Sequence, residues 1–314
     1  MHATVAGQLK VVKLLISFGC KLNLSNADLQ SACHLATIYG HHDILRYLLK
    51  SNANWRCRDH RDRTPLHLAT ANDSSACLNL LLSDCTDDDL NEQDSEAMTP
   101  LHWAVFYNKP LYFQMMIKKR SPNLSISDME GKTVLHWAAT HRERPRENMS
   151  MSPTFGSLII KSFPHIINLK DLESRTALHL ACVSNNHILV SALAEHPNCD
   201  VNISDSLYRT PLHWAAVSGH ALLVTILLQN GADDSLTDNT GSTPLHYACS
   251  KNHSQCVISL LDPSINPKRS YLPDSEGRYP LLWSISKGHV QTCRILLEKK
   301  VDPIAADSHG STGK

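Results

Sequence analysis

Short apolar stretches recur along this 314-residue chain in a fixed relation to polar punctuation. The clearest instance is DSLYRTPLHWAAVSGHALLVTILLQNGAD, residues 205 to 233. Thr210 is a good helix N-cap, and Pro211 at the first helical position gives up only an N–H that has no partner there. The Ala-rich residues after His213 predict a short helix able to approach its neighbours closely. Gly219-His220 breaks that helix, and LLVTILL, with apolar residues at helical spacing, predicts a second one. Asn230-Gly231-Ala232-Asp233 ends it and opens a turn toward the next unit. So short a helix pair cannot bury both its faces alone, so it must stack on others of its kind.

The same pattern returns. Tetrads of the form Thr-Pro-Leu-His, or near variants, stand at 31 (SACH), 64 (TPLH), 99 (TPLH), 133 (TVLH), 176 (TALH), 210 (TPLH), 243 (TPLH) and 279 (YPLL). Successive spacings are 33, 35, 34, 43, 34, 33 and 36 residues. Small or apolar residues follow most tetrads (HLAT, HWAV, HWAA, HLAC, HYAC), then usually an -LL- segment. An Asp lies about five residues before most tetrads.

These residues resemble the ankyrin repeat, whose T-P-L-H-x-A signature recurs about every 33 residues. The resemblance covers nearly the whole chain. It implies an all-α ankyrin-repeat solenoid, with helix-turn-helix repeats joined by β-hairpin or turn connections. The expected layout is a partial repeat at 1–25, then eight repeats over 26–306, starting near 26, 59, 94, 128, 171, 205, 238 and 274. Residues 307–314 begin a truncated repeat, since DSHGST fits D-x-x-G-x-T and then departs where Pro belongs. At the other end, MHATVAG fits the interior of a first helix, with Met1 in the tetrad His slot and Gly7 at the helix break. Lys10 and Lys13 interrupt the apolar run behind it, which disfavours a signal peptide. The expectation is a chain cut inside a repeat at both ends. NEQDSEAMTPLHWAVFYNKP, with the Trp that follows four of the tetrads, is further similar to the repeats of inversin and of ankyrin repeat domain-containing protein 55. That likeness implies a scaffold-type protein with a ciliary association.

Composition narrows the function classes. Thirty basic and thirty acidic residues cancel, so no electrostatic footprint points to nucleic acid or an anionic membrane. The longest apolar runs fall far short of the ~20 residues that cross a bilayer. Ten cysteines lie scattered with no C-x-x-C pair, as reduced thiols of a cytoplasmic protein do.

Nineteen histidines invite metal or catalytic readings. Seven of them, His34, His67, His102, His136, His179, His213 and His246, occupy the last tetrad position, where the resemblance implies hydrogen bonds to neighbouring backbone. His41, His220, His253 and His289 follow the helix-breaking Gly or its Asn substitute. Leu282 replaces the tetrad His of the last full repeat, so a polar tie should be missing there. Cys33-His34 and His253-x-x-Cys256 are the nearest approaches to metal pairs, and neither has the further ligands zinc requires. No hydrolase elbow, zinc-protease helix or dinucleotide fingerprint is present, and GSTGK at the end lacks the first Gly of a phosphate loop. No enzyme, cofactor, metal or small-molecule substrate is expected.

In the family, partners bind the concave surface of turn tips and first helices. Its slots here hold Ile38 and Tyr39, then Ala71 and Asn72, then Phe106 and Tyr107, with His60, Arg61 and Lys132 at the tips. Aromatic residues are frequent interface anchors, while the tip charges include Glu96, Glu130 and Glu173 and sum to no single sign. The 43-residue spacing marks an insertion, HRERPRENMSMSPTF at 141–155, whose first residue His141 is a further contact candidate. A loop of this composition is expected to protrude away from the tips. The leading expectation is a non-enzymatic scaffold or adaptor for protein partners. The rival is a piece of a larger effector (a channel, kinase or ubiquitin-ligase subunit) with its activity outside these residues.

Overall fold

The computed structural model describes residues 1–140, 155–267, 270–299 and 301. Its α-helices alternate between a first and a second helix of each pair. They are α1 (His2–Val5), α2 (Leu9–Ser17), α3 (Ala32–Ile38), α4 (His42–Lys50), α5 (Pro65–Ala71), α6 (Ser75–Asp84), α7 (Pro100–Phe106), α8 (Pro110–Lys119) and α9 (Val134–Thr140). After the insertion come α10 (Phe155–Ser162), α11 (Ala177–Val183), α12 (His187–Ala194), α13 (Pro211–Val217), α14 (Ala221–Gln229), α15 (Pro244–Ser250), α16 (Ser254–Leu261), α17 (Pro280–Ser286) and α18 (Val290–Glu298). No strand occurs among the described residues. The connections are turns, with isolated antiparallel bridges at Ser25–Ser31 and Ser127–Thr133. His141 and the rest of the insertion to 154 lie outside the described residues. Phe155, placed by its sequence at the end of that insertion, instead opens α10 and is buried edge-on against Phe113, 5.8 Å between ring centres.

The chain divides into two compact units, one over 1–137 with Phe155, the other from 156 onward with Ala138 to Thr140. In the first, α3, α5 and α7 pack side by side, and so do α2, α4, α6 and α8. In the second, α11, α13, α15 and α17 form one such row and α12, α14, α16 and α18 another. The second helices supply most of the large apolar side chains. In α14 these are Leu223, Val224, Leu227 and Leu228, two adjacent positions per turn, all buried. Burying one leucine contributes about 1.5–3 kcal/mol, so each junction is held chiefly by this pattern. The first helices approach closely because alanine lines them, as Ala215 and Ala216 do, both wholly buried.

Three polar devices recur within each unit. A cap residue and the tetrad histidine make the first. The N–H of Thr210 donates to His213 Nδ1 at 3.0 Å, which leaves the ring proton on Nε2, and Nε2 donates to the Ser242 carbonyl of the following turn at 3.1 Å. His34, His67, His102, His179 and His246 reach the carbonyls of Arg63, Met98, Lys132, Arg209 and Arg278 in the same way. At Leu282 this bond has no donor, and Tyr279 makes no side-chain cap bond.

The second device is the turn carboxylate. Asp205 Oδ1 accepts the N–H groups of Leu207 and Arg209, each at 2.9 Å, and Oδ2 accepts Trp214 Nε1 at 3.0 Å and the Arg209 guanidinium. Asp59, Asp94, Asp128, Asp171, Asp238 and Asp274 collect the equivalent two N–H groups. These bonds hold the turn so firmly that the residue at its tip has a left-handed φ whether or not it is glycine, at Asp62, Ala97, Ser174 and even Tyr208 (φ 61°). Each turn is also linked to the one before it, as when Ser206 N–H donates to the Glu173 carbonyl and Asn239 N–H to that of Leu207.

The third device is the histidine after the helix break. His253 Nε2 lies 3.1 Å from the Val217 carbonyl of the previous pair, and His41 stands likewise 3.1 Å from that of Val5.

Candidate partner-binding face

In the first unit, the ends of the first helices and the turn tips carry a row of aromatic rings. α7 presents PLHWAVF, and burial of Leu101, Ala104 and Val105 turns Trp103, Phe106 and Tyr107 to the opposite side. Phe106 is 49% exposed and Tyr107 42%. Trp103 is half-buried, fixed by Nε1 donating to Asp94 Oδ2 at 2.9 Å. Its ring lies 5.6 Å from Tyr107, which meets Phe106 edge-on at 5.1 Å, and Phe106 in turn meets Trp137 at 5.6 Å. The Arg63 guanidinium lies 5.8 Å from the Trp103 ring centre, and Lys132 Nζ lies 5.5 Å from that of Trp137. The stripe thus runs Arg63, Trp103, Tyr107, Phe106, Trp137, Lys132, with a cation at each end.

Its cations are already balanced. Arg63 pairs with Asp59 and Lys132 with Glu130. Burial works to raise the Asp59 carboxyl, but Arg63 and the N–H groups of Arg63 and Arg61 outweigh it and hold the group below its usual range. What the face offers is apolar and π surface bounded at each end by a paired charge, suited to cation–π and stacking contacts.

The other residues singled out from sequence fall around this stripe. Ile38 and Tyr39, at the end of α3, are 37% and 52% exposed, and Tyr39 stacks on His41. Between them and Phe106 lies α5, so the two patches stand roughly 20 Å apart by ordinary helix spacing. Asn72 is half-buried and spent on structure, its amide donating to the carbonyls of Thr37 (2.5 Å) and Ile38 (3.3 Å). His60 and Arg61 are exposed at one turn tip, with the His60 N–H bonded to the Asp28 carbonyl.

Sequence reasoning overlooked two features. The indole that follows the tetrad is a tie to the turn carboxylate nine residues earlier, at Asp94–Trp103, Asp128–Trp137, Asp205–Trp214 and Asp274–Trp283, with Tyr247 on Asp238. The constant interval was the readable signal. In the second unit, Leu172 (76% exposed), Leu207 and Tyr208 (64%) display apolar side chains at turn tips, a place where charge was the focus.

Burial governs the tetrad histidines and several of the cysteines. Burial pushes His67, His102, His179 and His213 down to about 4. It pushes Cys33 and Cys256 up to about 12 and Cys77 to about 11, so these sulfurs stay as thiols. Among the described residues no three His, Cys, Asp or Glu side chains are grouped as a metal site would need. No helix among them is long and apolar enough to cross a membrane.

The family profile described as ankyrin repeats (3 copies) matches residues 1–94, 148–238 and 223–307. Inversin of Homo sapiens is 35% identical over 143 residues, 46% of this chain and 13% of inversin. The NF-kappa-B inhibitor cactus of Drosophila melanogaster is 41% identical over 109 residues, 33% of this chain and 22% of cactus. Rabankyrin-5 of Mus musculus is 31% identical over 94 residues, 30% of this chain and 8% of its own length. The chain thus spans only a small part of the relatives it matches.

Proposed function

The chain belongs to the ankyrin-repeat family, a family of protein-interaction modules, and we propose that it is a non-enzymatic scaffold or adaptor. In this reading a protein partner lies across the first-helix face of residues 1–137 and anchors on Phe106 and Tyr107. The observation that carries it is the pairing of about half-exposed rings with a fixed surround. Phe106 is held edge-on to Tyr107 and to Trp137, and Tyr107 packs tilted against Trp103, so binding them costs little conformational freedom. Ile38, Tyr39, His60 and Arg61 extend the same face as secondary contacts, and the likeness to inversin supports a ciliary association.

The test is a Phe106→Ala, Tyr107→Ala double variant used as bait beside the native chain, with captured proteins read by mass spectrometry. Partners held by this face drop out while the melting temperature moves little. Unchanged capture rules the face out, and a large loss of melting temperature reassigns both rings to packing.

A further inference from the structure

In the second unit an aromatic ring stands where the fold gives it no polar or aromatic partner. Tyr208 sits at the tip of the 205–209 turn with a left-handed φ of 61°, its side chain 64% exposed. A left-handed backbone is unfavourable for so large a residue, and the other tips of this unit hold Ser174, Gly241 and Gly277 at that position. Hydrogen bonds on every side impose the conformation. Within the turn, Asp205 Oδ1 accepts the Leu207 and Arg209 N–H groups, and Tyr208 N–H donates to the Asp205 carbonyl at 3.0 Å. From the flanking turns, the Glu173 carbonyl accepts Ser206 N–H at 2.9 Å, and Asn239 N–H donates to the Leu207 carbonyl at 3.1 Å. Strain persists only where the surroundings over-determine it, and it gathers at functional positions.

Among the described residues the Tyr208 hydroxyl has no hydrogen-bond partner and its ring no aromatic or cationic neighbour. The Trp214 indole and the Tyr247 hydroxyl, by contrast, are spent on Asp205 and Asp238. Leu172, on the tip joined to this one through Ser206 and Glu173, and Leu207 add apolar surface beside the ring. The charges of the two tips are used within them. Arg175 pairs with Asp171 and Glu173, Arg209 pairs with Asp205, and Lys170 Nζ turns back to the Ser204 carbonyl at 3.3 Å. What projects is therefore apolar carbon with one unmet O–H donor, which calls for a recess with an acceptor rather than for an opposite charge.

We propose that Tyr208 anchors a second protein contact, inserted into an uncharged apolar pocket of a partner that offers an oxygen to its phenol. Leu172 and Leu207 close on the rim of that pocket. The backbone beneath the ring is fixed in advance, so docking orders little besides the side chain itself. The contact lies in the other unit from Phe106 and Tyr107, and neither depends on the other.

The test replaces Tyr208 of the full chain with the photo-crosslinker p-benzoylphenylalanine. The protein it joins to on irradiation in cells is identified, purified and titrated against the chain. Tyr208→Gly weakens that binding at least about thirtyfold and Tyr208→Phe about fivefold. Added salt leaves the affinity unchanged. Tyr208→Gly also relieves the backbone, so its melting temperature holds or rises by about 2 °C while binding is lost. Phe106→Ala with Tyr107→Ala leaves this binding intact, and a loss there gives the protein to the first unit and overturns the proposal. A lowered melting temperature in Tyr208→Gly returns the ring to the fold, and native affinity in that variant removes it from the contact. Affinity that falls steeply with salt contradicts an uncharged pocket. Absence of any cross-link overturns the proposal. So does cross-linking only to a second copy of this chain, or binding to phosphatidylcholine vesicles that Tyr208→Gly abolishes.

Discussion

Gly219 leaves the space that the imidazole of His253 fills: a Cβ on Gly219 would lie 2.7 Å from two atoms of that ring. The ring is held there by its bond to the Val217 carbonyl, so the glycine at the break of one helix pair positions the histidine of the next. At Gly231 the backbone is also left-handed, but nothing lies within 4 Å of an added Cβ. Gly219→Ala therefore combines the strain of a left-handed residue with displacement of His253 and should lower stability by about 2–3 kcal/mol. Gly231→Ala incurs the strain alone, about 1 kcal/mol. Urea unfolding of the two variants measures the difference, and equal losses would remove His253 from the account.

Acid should unfold the chain well above the carboxylate range. The folded state holds His67, His102, His179 and His213 near 4, whereas unfolded histidine titrates near 6.5. The unfolded chain binds more protons between these values, so stability is complete above about pH 6.5 and falls as pH drops toward 4. Each ring then contributes a loss of up to about 2 kcal/mol at pH 5, a sizeable part of a domain's net stability. Thermal unfolding followed from pH 7.5 to 4.5 checks the sign. A melting temperature independent of pH over that range contradicts it.

Replacing Asp205 with Asn tests the turn carboxylate. The amide keeps an oxygen for the N–H groups of Leu207 and Arg209 but turns an NH2 toward two donors, Trp214 Nε1 and Arg209. We expect a loss of about 2 kcal/mol and a change in Trp214 emission. Unaltered emission would mean the indole keeps its seat without the carboxylate.

Thiol reagents should distinguish the cysteines. Cys20 is exposed and reacts in the native state. Cys33, Cys77 and Cys256, buried and with raised pKa values, react only on unfolding. Peptide mapping after brief native labelling identifies the modified sulfur.

Much of this was legible because it is local. Ser31 or Thr210 followed three residues later by histidine writes its own cap, and the tetrads at 31, 64 and 99 repeat it at a readable interval. What stayed hidden depends on residues far apart in sequence. Arg63 lies over Trp103 of the next repeat rather than an aromatic of its own, and the Asn72 amide folds back to the Thr37 carbonyl 35 positions earlier. Neither partner can be named until the stacking register is known. Tyr208 was missed for another reason, since a tip usually written with glycine gave no warning that a large ring could stand there.

The turns give that last observation a wider bearing. At the tips the carboxylate, not the residue, dictates the backbone, so Asp62, Ala97, Ser174, Tyr208 and Gly241 share one conformation while differing in nearly everything else. Such positions behave like blank type set in a rigid forme. Their lettering can be changed to address a different partner while the page beneath keeps its shape.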